Sequence, residues 1–227
     1  MGKINILTKD IYNRIAAGEV VDRPYSAVKE LVENSLDAGA TEISVYIEKA
    51  GKQLIKVSDN GSGIERDDMR KAFIPHATSK VAKVEDLDSI ATLGFRGEAL
   101  ASISSISRTE ITSVTEGNQA CRVVCDGGYI GKEEPAALDR GTEVCVHNLF
   151  YNTPARAKFL KSDKAEESDI QNFMSRFILG NPDVSFRYFA DGKLKIQSFG
   201  NGLDEAVAQV YGAKTIPNCY KINAEKN

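Results

Sequence analysis

The chain lacks any apolar run approaching the roughly 20 residues needed to cross a bilayer. Met1 opens onto a mixed segment with no charged-then-apolar leader. Both absences point to an intracellular, cytoplasmic protein. A basic surplus is missing too: the formal net charge is −3 and the pI about 5.6. A dedicated nucleic-acid domain carries a basic face or stripe, so any contact with DNA would rest on a local basic patch. Cysteine is scarce, with four residues at 121, 125, 145 and 219. Cys121 and Cys125 lie in a strand-like run from Gln119 to Cys125, roughly 13 Å apart at ~3.3 Å per residue. That is beyond disulfide reach and too far for a shared zinc. The cysteines therefore read as small buried apolar residues in a reducing compartment. No Gly-x-x-x-x-Gly-Lys-Ser/Thr loop is present, which excludes a P-loop, and no Gly-x-Gly-x-x-Gly opens a helix after a strand. A nucleotide, if bound, is held in another way.

What is present suits one large domain, or one domain and a fragment of a second: 227 residues, 42% hydrophobic and 27% charged. A helix is expected from about Pro24 to Asp37, with Asp22 as its cap and Pro24 in the first turn. Val28, Leu31, Val32, Ser35 and Leu36 fall on one side of it, and Glu30, Glu33, Asn34 and Asp37 on the other. Ala38-Gly39-Ala40 stops it. Strands are expected at 42–48 and 53–58, a short helix from Glu65, and a helix from Glu98 to Ile106. Further strand-like runs lie at 108–114, 119–125 and 142–148. A long helical stretch follows from Ala155 to Leu179, then a hairpin of 184–190 and 193–199, then a helix from Leu203 to Tyr211. Helices with a mostly antiparallel sheet predict an α+β sandwich of two layers. The expected organisation is a domain over 1–200, with 201–227 a linker and the beginning of a second domain.

Three groups of residues carry chemistry. Glu30 and Asn34, four apart, stack one turn above another on the helix. An amide oxygen can ligate Mg²⁺ while the carboxylate takes a proton from water, although such a pair taken alone more often marks a solvated helix face. Asp59-Asn60-Gly61-Ser62-Gly63 follows a strand. Its glycines allow close backbone approach to a flat ligand, and the aspartate could accept from an exocyclic amino group such as adenine's; a plain turn closed by its own side chain also fits. Thr78-Ser79-Lys80 and Gly94-Phe95-Arg96-Gly97 offer hydroxyls, a lysine and glycine-flanked N–H groups leading into a helix, which suits a polyphosphate or a mobile surface loop.

In this order, together with Arg140-Gly141-Thr142, these groups resemble the nucleotide motifs of the gyrase, heat-shock chaperone, histidine kinase and MutL superfamily. Longer strings resemble the MutL family in particular: IAAGEVV over Ile15–Val21, KELVENSLDA over Lys29–Ala38, HATSK over His76–Lys80, GFRGEALASI over Gly94–Ile103 and LFYNTPAR over Leu149–Arg156. The resemblance covers roughly residues 4 to 200. It implies the Bergerat ATP-binding sandwich, with ATP and Mg²⁺ as cofactors. Glu30 would be the general base and Asn34 the Mg²⁺ ligand. Asp59 would read the adenine amino group, with Thr142 supporting it through water. Gly61, Gly63 and Ile64 would line the base pocket with Ala38 nearby. Thr78, Ser79, Lys80 and Leu93, Gly94, Phe95, Arg96, Gly97 and Glu98 would form a lid over the phosphates.

The resemblance further implies a mismatch-repair ATPase that couples slow turnover to homodimerisation through its N-terminal segment, and to a mismatch sensor of the MutS type and DNA. The alternative is a nucleotide-binding switch module without significant hydrolysis. In the family a lysine from a second domain contacts the γ-phosphate, and that domain is essentially absent from this sequence. Electrostatic stabilisation of the transferring phosphoryl group is usually the largest catalytic contribution, so this chain is expected to bind ATP better than it hydrolyses it. A histidine kinase would need an acceptor histidine on a dimerising helix, and neither His76 nor His147 suits. The Gly94–Leu100 string is unlike that of the topoisomerases.

Overall fold

A computed structural model describes residues 17, 18, 20–77 and 97–219. Helix α1 spans Pro24–Asp37, with Pro24 in its first turn, where its fixed φ suits the helix and its missing N–H is not needed. The expected cap is corrected. The N-cap residue is Arg23 and no side chain caps the helix; Asp22 instead accepts from the Ser26 hydroxyl at 2.6 Å. Glu33 is corrected as well. It is buried, not on the polar face, because its carboxylate reaches back one turn to Lys29 at 2.7 Å and its stem packs inward. Gly39, at φ +71°, closes the helix by donating to Leu36 O.

Strands β1 (Glu42–Glu48) and β2 (Leu54–Asp59) form a hairpin. The segment from Glu65 is two 3-10 turns, Arg66–Asp68 and Lys71–Phe73, and not an α-helix. Then come α2 (Ala99–Ser105), β3 (Arg108–Val114), β4 (Cys121–Asp126), β5 (Tyr129–Pro135) and β6 (Gly141–His147). The expected helix over 155–179 is broken into α3 (Pro154–Ala157) and α4 (Asp163–Gly180). Strands β7 (Ser185–Ala190) and β8 (Lys193–Phe199) and helix α5 (Leu203–Tyr211) complete the order.

The eight strands form one sheet in the order β5-β4-β3-β6-β2-β1-β7-β8, antiparallel except where β1 lies beside β7. Alternation sends Ile43, Val45 and Ile47 of β1 and Ile55 and Val57 of β2 to one face, against Val28, Leu31 and Val32 of α1. The same face receives Ile170, Met174 and Ile178 of α4. The opposite face carries a stacked Tyr46–Phe189 pair at 4.5 Å and the Lys56–Glu143 ion pair. This is the two-layer α+β sandwich expected from the sequence. Strand β5 was not foreseen, because Tyr129-Ile130-Gly131-Lys132-Glu133-Glu134-Pro135 has no apolar alternation; pairing with β4 makes it a strand. Its charges and terminal proline suit a sheet edge. Cys121 and Cys125 are buried and free as expected, but Cys219 is exposed. Cys145 is partly buried, and burial together with Glu143 pushes its thiol up to about 11. Among the described residues no helix is long and apolar enough to cross a membrane.

The break between α3 and α4 has a specific anchor. Glu166 is fully buried and accepts from Arg23 Nε and Nη2 at 3.3 and 3.1 Å, and from the Lys161 N–H at 2.8 Å. Arg23 also reaches Asp169. The start of α1 is thereby tied to α4. Glu166→Ala leaves the Lys161 N–H unpaired and removes one of the two carboxylates that hold the partly exposed Arg23, so it should cost about 2 kcal/mol and lower the melting temperature by roughly 4–8 °C. Calorimetric melting of the two proteins measures this. A shift of under about 2 °C would show that Asp169 alone holds Arg23.

Candidate functional site

The best-defined polar site lies where the end of β2, the middle of α1 and the start of β6 converge. The Asp59 carboxylate accepts from the Ser35 hydroxyl of α1 at 2.7 Å, from the Gly61 N–H at 2.9 Å and from the Thr142 N–H at 3.3 Å. Burial pushes the Asp59 carboxyl above the usual carboxylate range, and the three hydrogen bonds only partly offset it. A partly buried acceptor held at such a cost beside a glycine loop is a candidate ligand reader.

The loop after Asp59 is built for close approach. Asn60 turns away from the site and bonds the Thr41 and Glu42 N–H groups and the Thr41 hydroxyl, fixing the loop to the start of β1. Gly63 sits at φ +78°, and a Cβ there would fall 2.0 Å from Val114 O. Gly141, at φ +76°, would place a Cβ 2.1 Å from Asp59 O, so only glycine lets β6 begin beside β2 at that point. A Cβ on Gly61 would meet Ala38 at 2.9 Å, and Ser62 N–H donates to Ala38 O. Ile64 donates its N–H to the Ser113 hydroxyl.

The structure thus gathers Ala38, Asp59, Gly61, Gly63, Ile64 and Thr142 at one place. Glu30 and Asn34 stand on the same helix as Ser35. The Glu30 side chain is 24% exposed and lies 3.3 Å from Lys29 Nζ. Gly97 and Glu98 meet His76: the His76 N–H donates to Gly97 O at 3.0 Å, and His76 Nδ1 lies 3.1 Å from Glu98 Oε1. The two ends of the expected lid are therefore held together. Thr78, Ser79, Lys80, Leu93, Gly94, Phe95 and Arg96 lie outside the described residues.

Two site residues escaped sequence reasoning. Ser35 was grouped with the apolar face of α1; a hydroxyl at a core position of an amphipathic helix was the available signal. Ser113 gave no signal, since only the register of β3 on β6 places it opposite Thr142.

A helix-covered sheet with a partly buried aspartate and a tight glycine loop at the end of one strand is the frame that the family matches identify as an ATPase-type sandwich. A family model described as histidine kinase-, DNA gyrase B- and HSP90-like ATPase matches residues 23–147. The MutL DNA mismatch repair protein of Clostridium botulinum is 47% identical over the whole chain, and that of Clostridium acetobutylicum 49% identical over 95% of it. The chain spans about a third of the length of these relatives, 34% and 35% respectively. Among solved structures, the MutL ATPase domain of Aquifex aeolicus complexed with ADP superposes with a TM-score of 0.69 at 34% identity, covering 85% of this chain and 70% of that one. The chain belongs to the MutL family of DNA mismatch-repair proteins.

Proposed function

We propose that this chain is the ATP-binding and slowly hydrolysing N-terminal region of a mismatch-repair protein, residues 1–200 forming the ATPase domain and 201–227 leading into a second one. The observation that carries the reading is the Asp59 carboxylate, costly to bury and backed by donors from α1, the glycine loop and β6. An exocyclic amino group would supply the donor that matches this acceptor beside the glycine loop. The relative solved with ADP supports an adenine nucleotide as the ligand.

The residues also fit a hydrated magnesium ion. Among the described residues no group of three or more His, Cys, Asp or Glu could cage a metal. An ion that keeps its waters and takes substrate phosphates needs only one or two protein oxygens. The Asn34 amide would supply one; when bound with the triphosphate, magnesium neutralises phosphate charge. Glu30, one turn away, would accept the proton of the attacking water. Homodimerisation on ATP binding, contact with a mismatch sensor of the MutS type and contact with DNA belong to the longer protein under the same reading.

Calorimetric titration with ATP, ADP and GTP in magnesium tests it. ATP and ADP should bind, and GTP, which has an oxo group where adenine has its amine, should bind at least tenfold more weakly. Equal affinity for ATP and GTP would overturn the assignment. Sedimentation with a non-hydrolysable analogue reads the dimer, which should form weakly in this chain and more readily in the longer protein.

A further inference from the structure

Ser113 is 2% exposed, and its hydroxyl lies among three polar groups: Ile64 N at 2.8 Å, Gly141 O at 3.0 Å and Thr142 Oγ1 at 2.8 Å. A serine hydroxyl has one proton and two lone pairs. The Ile64 N–H can only donate, and Gly141 O can only accept. Those two bonds use the serine's proton and one lone pair, leaving the other lone pair for Thr142. Thr142 must then donate to Ser113.

The consequence reaches the pocket. Thr142 is the register partner of Asp59 on one side and of Ser113 on the other, so the three side chains share one face of the sheet. With its proton directed to Ser113, Thr142 has only lone pairs left to offer. Beside it stands the Asp59 carboxylate, itself an acceptor. Two neighbouring acceptors match a group with two N–H donors, directly or through one water.

We propose that Ser113 is a positioning residue that fixes the Thr142 hydroxyl as an acceptor and thereby sets the preference of this site for a 6-amino over a 6-oxo purine. The inference rests on the adenine-nucleotide reading above and deepens it. Against the oxo group of a 6-oxo purine the same site sets acceptors against an acceptor, and only the ring N1–H, a donor adenine lacks, is left to pair with one of them. Without Ser113, the Thr142 proton is free to turn outward and donate to the 6-oxo group.

The test is calorimetric affinity for ATP and for inosine triphosphate, which has a 6-oxo group and a ring N1–H where ATP has the 6-amine and a bare N1, on wild type and variants. Wild type should favour ATP. In Ser113→Ala the ATP-to-ITP affinity ratio should fall about tenfold, through weaker ATP binding and stronger ITP binding. Ser113→Thr, which keeps the hydroxyl, should restore the ratio. Thr142→Val, which has neither lone pair nor proton to offer, should lower the ratio less than Ser113→Ala does, and the double variant should match Thr142→Val. If Ser113→Ala does not fold, Thr142→Val carries the test, since it leaves Ser113 bound to Ile64 and Gly141. Equal weakening of both nucleotides by Ser113→Ala, an unchanged ratio in Thr142→Val, or multiplicative effects in the double variant would overturn the proposal. A wild type with no preference for ATP would instead overturn the nucleotide reading, and this inference with it.

Discussion

Replacing Glu30 by alanine is expected to leave ATP binding intact and to lower turnover in the longer protein by about 10²- to 10⁴-fold. The site separates the two tasks in space. Under the proposed function Asp59, Ser35 and Thr142 would read the base, whereas Glu30 stands more than one turn earlier on α1 with its carboxylate partly in solvent. None of the bonds that hold Asp59 passes through Glu30. A general base acts on the attacking water in the transition state, so its loss lowers the rate constant without removing ground-state contacts. Single-turnover hydrolysis beside calorimetric ATP affinity distinguishes the outcomes. Comparable turnover in Glu30→Ala would remove Glu30 from the mechanism, and a parallel loss of affinity would make it a binding residue.

Asp59→Asn should do the reverse: weaken ATP binding by roughly 10- to 150-fold, the worth of a hydrogen bond to a charged acceptor, while the fold becomes no less stable. The local bonding accommodates an amide. The Asn oxygen can still accept from Gly61 and Thr142, and its NH₂ can donate to Ser35. The Ser35 hydroxyl, whose single proton is shared between Asp59 and Leu31 O, 3.2 Å away, is then free to donate to Leu31. The amide also escapes the charge penalty of burial. Because burial raises the Asp59 carboxyl, the folded chain holds its proton to higher pH than the unfolded chain does. As pH rises from the ordinary Asp value of 3.8 through the raised one, wild-type stability therefore falls, and the whole penalty stands at neutral pH. Asp59→Asn should melt at or above the wild-type temperature at pH 7, and any gain should shrink as pH is lowered toward 3.8. Equal ATP affinity in the two proteins would move adenine recognition elsewhere. A clearly lower melting temperature for Asp59→Asn at pH 7 would show that the carboxylate supports the fold.

Much of this protein was legible from local pattern. The 3.6-residue period of Pro24–Asp37, the alternation of Glu42–Glu48 and the Asp191-Gly192 turn, with φ of +48° and +73°, each specify their element through neighbours in sequence. The Asp59–Gly63 string likewise announced a close-approach loop, because few residues but glycine tolerate such angles and distances.

Long-range pairing decided the rest. Strand β5 carries no periodic signal and exists because β4 offers an edge. The interruption of 158–162 has neither glycine nor proline to mark it; it follows from burying Glu166 against Arg23, 143 residues away in sequence. Glu33 is buried, with its carboxylate paired to the half-exposed Lys29 one turn back, a packing outcome that helical spacing does not specify. By itself the sequence determined the helix and strand periods, the tight glycine loop after Asp59 and the family, since each depends on residue type and short spacing. Tertiary structure alone decided that Ser35 meets Asp59 and that Ser113 meets Thr142. A hydroxyl's partner is fixed by which strands and helices lie beside it, and β3, β6 and α1 meet there only once the sheet has assembled.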